Sequence, residues 1–300
     1  MYSMSNTALI IPERSANIGD FMVGRLLPFQ EKKMVGPFIF IDHMTPTKLA
    51  PGHYLDIGQH PHIGLCTLTF LLQGAVQHED SIGSKQRIEP GSVNWMVAGK
   101  GVTHTERTPQ DLRGQELDFH GFQIWVALPT AFEETAPEFH HFEAASLPRW
   151  QEENAEFILV AGAGYGHQSP VPVHSPLFMI DIRTGSEPYL LDTTGKITGE
   201  TGLCIVEGAV EACGTVVESG QMLVSNTADS CKVLLKPNTH VLLFGGEPLP
   251  EDRHIFWNFV SSDREKIENA KKHWEARTFP MVANDDSYIP LPPKIRLVAK

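Results

Sequence analysis

The stretch whose reading decides the fold is Gly58-Gln59-His60-Pro61-His62-Ile63-Gly64-Leu65-Cys66-Thr67-Leu68-Thr69-Phe70-Leu71-Leu72-Gln73-Gly74. From Cys66 the residues alternate. Cys66, Leu68, Phe70 and Leu72 fall on one face, and Thr67, Thr69 and Leu71 on the other. Period-two alternation predicts a strand with a buried face, and Gln73-Gly74 reads as the turn that ends it. Just upstream, His60 and His62 stand two apart, so in extended chain both imidazoles point to the same side.

Outward from this segment the same pattern recurs. Turn signals appear at Ile82-Gly83, Pro90-Gly91, Ala98-Gly99, Glu207-Gly208, Ser219-Gly220 and Gly245-Gly246. Short apolar runs lie between them, such as Val93 to Val97, Phe122 to Leu128, Leu203 to Val206 and Val241 to Phe244. Many short strands with regular turns predict an all-β sandwich or barrel. The pattern lapses from Ala131 to Ala155, which reads as a linker, and a second β series is expected from near Phe157. Two domains follow, 1–147 and 148–300. Leu71-Leu72-Gln73-Gly74 matches Ile205-Val206-Glu207-Gly208, and Glu89-Pro90-Gly91-Ser92 matches Glu218-Ser219-Gly220-Gln221. Such parallels point to internal duplication. Near the end, Ser262 followed by Glu265 fits a capping box, and Ile267, Ala270 and Trp274 share one helical face. Pro280 bars that helix from continuing, and Ile289-Pro290-Leu291-Pro292-Pro293 must be extended.

Composition narrows the function classes. A formal charge of −12 over 300 residues argues against direct binding of nucleic acid or an anionic membrane surface, both of which need a basic face. Met1 to Glu13 lacks the pattern of a signal peptide. Cys66, Cys204, Cys213 and Cys231 form no CxxC pair and read as reduced, buried thiols. A monomer in the cytoplasm is expected.

The second informative segment is Gly99-Lys100-Gly101-Val102-Thr103-His104-Thr105-Glu106. His104 and Glu106 repeat the spacing of two, so two such pairs on facing strands can converge on one ion. Three imidazoles and a carboxylate suit Fe(II), Mn(II), Cu(II), Ni(II) or Zn(II) rather than Ca(II) or Mg(II), which favour oxygen. The plainer alternative is a polar histidine cluster on a barrel rim, which leaves the shared face of His104 and Glu106 unexplained. His78-Glu79-Asp80 is expected to be a surface strand end, and His140-His141 a surface feature of the linker. The second half has no HxH pair and is expected to be free of metal.

These residues resemble a known family. His60-Pro61-His62, His78-Glu79-Asp80, Pro90-Gly91, Trp95-Met96-Val97-Ala98-Gly99 and His104-Thr105-Glu106 look like the N-terminal domain of pirin, in the cupin superfamily. Gly36-Pro37-Phe38-Ile39-Phe40-Ile41-Asp42-His43 resembles the pirin opening, Gln123 to Pro129 the close of its first barrel, and Gly246-Glu247-Pro248-Leu249 its C-terminal domain. The resemblance implies two tandem cupin (double-stranded β-helix, or jelly-roll) barrels with a C-terminal helix. It also implies one metal ion, Fe(II) first among the candidates, on His60, His62, His104 and Glu106. Two positions depart from the family: Ile63 where pirins usually carry arginine, and Cys66 where they carry glutamate. Cys66 shares parity with His60 and His62, which leaves it open as packing, ligand or redox partner. Bacterial-type pirins are associated with quercetin 2,3-dioxygenase activity. A divalent ion with one carboxylate keeps a charge of about +1, which favours an enolate or catecholate ligand. By that implication the substrate is a small flavonol-like aromatic, and Glu106 doubles as the catalytic group that accepts its hydroxyl proton. The alternative is a redox-sensing regulator whose iron tunes binding to a protein partner without turnover.

Overall fold

In the computed structural model, which describes residues 9–18, 21–212, 214–225 and 232–293, strands dominate and one α-helix, Arg264–Glu275, follows them. Each half builds one large and one small antiparallel sheet. The large sheet of the first half runs Glu138–Phe142, Val93–Val97, Leu65–Gln73, Leu117–Ala127, Phe38–Leu49, Phe21–Leu27, Arg14–Ile18. Its small sheet runs Asp56–His62, Val102–Arg107, Val76–Asp80, Lys85–Ile88.

The second half repeats this order. Its large sheet runs Leu9–Pro12, Gln221–Ser225, Glu200–Glu207, His240–Gly246, Leu177–Thr184, Ala155–Gly164, Arg149–Glu152. Its small sheet runs Tyr189–Leu191, Val233–Leu235, Ala209–Ala212, Thr215–Glu218. The molecule is thus two tandem cupin barrels, and the paired motifs of the sequence occupy corresponding turns.

One strand crosses over. Leu9–Pro12, first in sequence, completes the edge of the second barrel by pairing with Gln221–Ser225. Pro12 ends that edge strand, where a missing backbone N–H disrupts no central ladder. Between the two large sheets lies a shared hydrocarbon core. Phe38, Phe70, Trp95 and Phe122 from the first pack with Met179, Met222 and Phe244 from the second, and the Phe38 and Phe244 rings meet edge-on at 5.0 Å.

Three expectations change. Ala131 to Ala155 is not plain linker: Glu138–Phe142 pairs with Val93–Val97 and closes the edge of the first large sheet. The helix cap is Asp263, whose side chain accepts from the Glu265 N–H at 2.8 Å, while the Ser262 N–H donates to Glu133 instead. Cys66 lies in the core between the barrels with Leu68 and Phe70, facing away from the histidines. Gly64, at φ +67°, breaks the chain between the strands ending at His62 and starting at Leu65. Parity therefore does not carry from His62 to Cys66, and burial holds the Cys66 thiol well above its ordinary pKa. Cys66 and Cys204 are buried free thiols; Cys213 and Cys231 lie outside the described residues.

The helix buries Ile267, Ala270 and Trp274, the face its periodicity predicts, against Phe259, Phe279 and Ile63. Ile63 thereby serves the seat of the helix. Trp274 stacks on Tyr288 at 4.6 Å and donates to the Ile289 carbonyl at 2.9 Å. The C-terminal helix and tail of the chain consequently lie on the first barrel. No helix among the described residues is long and apolar enough to cross a membrane.

Candidate metal centre

The small sheet of the first barrel assembles the site. Val102–Arg107 pairs antiparallel with Asp56–His62, setting His104 opposite His60 and Val102 opposite His62. His60, His62 and His104 therefore share the inward face. They offer ring nitrogens that all lie within 4.8 Å of one another, with His62 Nε2 3.1 Å from His104 Nε2. Burial pushes the His60 pKa down to about 4 and those of His62 and His104 well below the usual value, the neighbouring imidazoles adding to the shift. Desolvation disfavours imidazolium, so the three rings are neutral with lone pairs to offer. The outer nitrogen of His60 faces the Gly58 carbonyl at 2.9 Å. That of His62 is buried beside the Asn258 backbone without a well-formed hydrogen bond. Such a donor set fits a borderline transition metal.

Glu106 lines the same cavity but stands outside that tight group of nitrogens. The ladder slips between His104 and Glu106, and the carboxylate accepts from Thr69 Oγ1 at 3.4 Å. Burial raises its pKa; a cation beside it would reverse that tendency. The expected quartet resolves into three converged imidazoles and one nearby, separately held carboxylate.

His78-Glu79-Asp80 is not a surface strand end. Residues 78 and 80 share parity as His104 and Glu106 do, and the ladder sets Asp80 opposite His104 and His78 opposite Glu106. Both are 3 % exposed; Glu79 points outward to Lys85 at 2.8 Å. His78 Nδ1 lies 3.3 Å from His104 Nδ1, and His78 Nε2 lies 3.0 Å from Asp80 Oδ2.

A cavity of about 400 Å³ opens onto His60, His62 and Glu106. Along one wall Phe40 stacks on Trp125 at 4.0 Å, and Trp125 meets His62 edge-on at 5.2 Å. Arg25 lies over Phe40 and grips Asp42 through two hydrogen bonds of 2.7 and 2.8 Å. Trp257 and Ile289, from the C-terminal region, also line it. The tail that carries Ile289 is tied to residues next to the histidine and carboxylate positions. Gln59 bonds to Val282, Asp285 and Ser287, and Arg107 to Asp285 and Ser287.

Comparison with known proteins fits this arrangement. The family model described as Pirin matches residues 20–126, and the Pirin C-terminal cupin domain matches residues 192–280. The chain belongs to the pirin family. A pirin-like protein of Caulobacter vibrioides is 42% identical over 288 residues, covering 95% of this chain and 99% of its own. A crystal structure of quercetin 2,3-dioxygenase from Acinetobacter baumannii superposes with a TM-score of 0.86 at 32% identity, covering 95% of each chain. A bacterial pirin from Escherichia coli, solved in complex with nickel(II), shares the fold with a TM-score of 0.61 at 18% identity, over 81% of this chain and all of its own.

The region matched by the pirin model contains the converged histidines, yet several residues in and around the site escaped sequence reasoning. Asp42 two after Phe40, and Asp80 two after His78, carry the same spacing that singled out the HxH pair. Trp257 and Ile289 have no local signal, because only the packing of the tail on the first barrel brings them there. In the second half, no three potential ligands converge among the described residues.

Proposed function

We propose that this pirin is a metal-dependent dioxygenase of the quercetin 2,3-dioxygenase type, with the metal held by His60, His62 and His104 and completed by Glu106. One observation carries the reading: three neutral, buried imidazoles converge beneath a cavity of about 400 Å³ walled by stacked aromatic rings. A structural metal site is closed, whereas a catalytic one keeps open positions beside a cavity. The likeness over 95% of the chain to a solved quercetin 2,3-dioxygenase supports the choice of chemistry. Fe(II) is the first candidate, with Cu, Mn, Ni or Zn compatible with the same donors.

When bound, the metal would supply a Lewis-acidic centre that favours the enolate form of a chelating substrate. The residues of the chain do the rest. Phe40 and Trp125 give the cavity an apolar wall against which a flavonol can pack. Trp257 and Ile289 line the same cavity and keep bulk water from their part of it. Glu106, buried and in contact with Thr69 Oγ1, is placed to take the substrate hydroxyl proton onto its carboxylate as the enolate forms.

The test is an aerobic assay of metal-loaded protein with quercetin, following oxygen uptake and loss of flavonol absorbance against apo protein and free metal. Bleaching faster than both controls is the expected result. Turnover equal to the controls with each candidate metal would overturn the enzyme reading and favour the metal-bearing regulator.

A further inference from the structure

We infer that His78 and Asp80 are positioning residues that fix the ring of His104, holding its Nδ1 protonated and its Nε2 bare toward the other two imidazoles. The inference rests on the proposed metal role of His60, His62 and His104, but its first support is a chain of hydrogen bonds independent of any ion.

That chain starts from a fixed acceptor. Asp80 Oδ1 already accepts the backbone N–H groups of Ile82 at 3.1 Å and Ser84 at 2.8 Å. Asp80 Oδ2, 3.0 Å from His78 Nε2, is then the acceptor in that contact, so His78 Nε2 carries the proton. His78 Nδ1 lies 3.3 Å from His104 Nδ1. With a single ring proton on His78, spent on Asp80, its Nδ1 offers only a lone pair, and the inferred arrangement makes His104 Nδ1 the donor. A neutral His104 with its proton on Nδ1 has none on Nε2, the atom that faces His62 Nε2 at 3.1 Å.

The ring of His78 is fixed independently of these bonds. It stacks on Phe139 at 4.4 Å and 17°, and Phe139 sits on the edge strand that pairs with Val93–Val97. Asp80 is fixed by the turn it caps. A ligand histidine usually donates its second N–H to a group of this kind, and removing the acceptor costs about 10–100-fold in metal affinity. Here the acceptor is itself an imidazole backed by a carboxylate. Between the barrels a similar chain exists: Glu13 contacts His43 Nδ1 at 2.6 Å, and His43 Nε2 contacts His120 Nε2 at 2.9 Å. Among the described residues no third potential ligand converges there, so it serves as a control for histidine loss without ligand positioning.

The experiment has two arms on the full chain. In the first, long-range ¹H–¹⁵N spectra of the metal-free wild type report which nitrogen of each ring is protonated. Protons on His104 Nδ1 and His78 Nε2 are expected; a proton on His104 Nε2 with Nδ1 bare overturns the inference whether or not the protein binds metal. In the second arm, Co(II) affinity is measured by chelator competition and the visible spectrum is recorded at saturation. Wild type is compared with His78→Phe, which keeps the stack on Phe139, with His78→Asn, which keeps an acceptor near Nδ1, and with His43→Gln as control. His78→Phe should bind Co(II) about 10–100-fold more weakly with shifted absorption bands. His78→Asn should recover most of the affinity, and His43→Gln should match wild type. Wild-type affinity and spectrum in His78→Phe would overturn the positioning role while leaving the metal reading intact. Absence of Co(II) binding by the wild type would instead remove the metal reading, with the tautomers of the first arm still deciding the hydrogen-bond chain.

Discussion

The two small sheets have the same strand order and opposite interiors. In the first barrel, Asp56–His62, Val102–Arg107 and Val76–Asp80 point His60, His62, His104, Glu106, His78 and Asp80 inward. In the second, the corresponding strands Tyr189–Leu191, Val233–Leu235 and Ala209–Ala212 contribute Tyr189, Leu191, Leu235, Val210 and Ala212 to a hydrocarbon core. Topology is therefore indifferent to chemistry here; inward-facing side chains decide which barrel can hold an ion. A polar interior survives in the first barrel because most of its groups contact one another, His62 Nδ1 excepted, whereas an apolar interior needs no partners.

The comparison can be broken most severely by making the first barrel resemble the second. Replacing His60, His62 and His104 together with Leu should lower metal content from near one ion per chain to none by elemental analysis, with the far-ultraviolet CD retained. Metal retained at full occupancy would place the ion elsewhere. Next in size is Glu106→Gln, which keeps the shape but cannot accept a proton. Turnover should fall about 10²–10⁴-fold with metal content changed little. Equal loss of metal and activity would make Glu106 a ligand alone.

The reverse experiment puts the chemistry of the first barrel into the second. Leu235→Glu buries a carboxylate opposite Val210 with no donor supplied, and should cost about 4 kcal/mol of stability, read from denaturant unfolding. A cost under about 1 kcal/mol would mean that the second interior tolerates charge and that the contrast is shallow. The smallest effect is expected at Cys66, in the core the two barrels share. Cys66→Ala should cost about 1–2 kcal/mol and leave metal stoichiometry and spectrum untouched; a shifted spectrum would return the thiol to the metal site.

Much of this was legible in the chain. The alternation from Cys66 to Leu72 appears as the strand Leu65–Gln73, with its two faces as read. The paired turns at Gly74 and Gly208 mark equivalent places in two barrels of identical strand order. Spacing of two found three histidines that do converge. The same argument misplaced His78 and Asp80 because neighbours in a strand point oppositely; what mattered was that residues 78 and 80 do not. Cys66 is the buried, packed thiol that its strand reading expects; only the parity shared with the histidines fails, because the strand stops at Gly64.

Local sequence by itself determined strand period, turn positions, and which side chains share a face, since these follow from backbone geometry over a few residues. Tertiary structure decided which faces meet. It set the large sheets of the two barrels against each other, turning Cys66 into core, and lent Leu9–Pro12 to the second barrel across more than 200 residues. It also laid the tail over the first barrel, so that Ile289 walls a cavity built around His60. Those outcomes depend on which apolar surfaces find one another when water is expelled, and burial of that kind is non-directional and blind to distance along the chain.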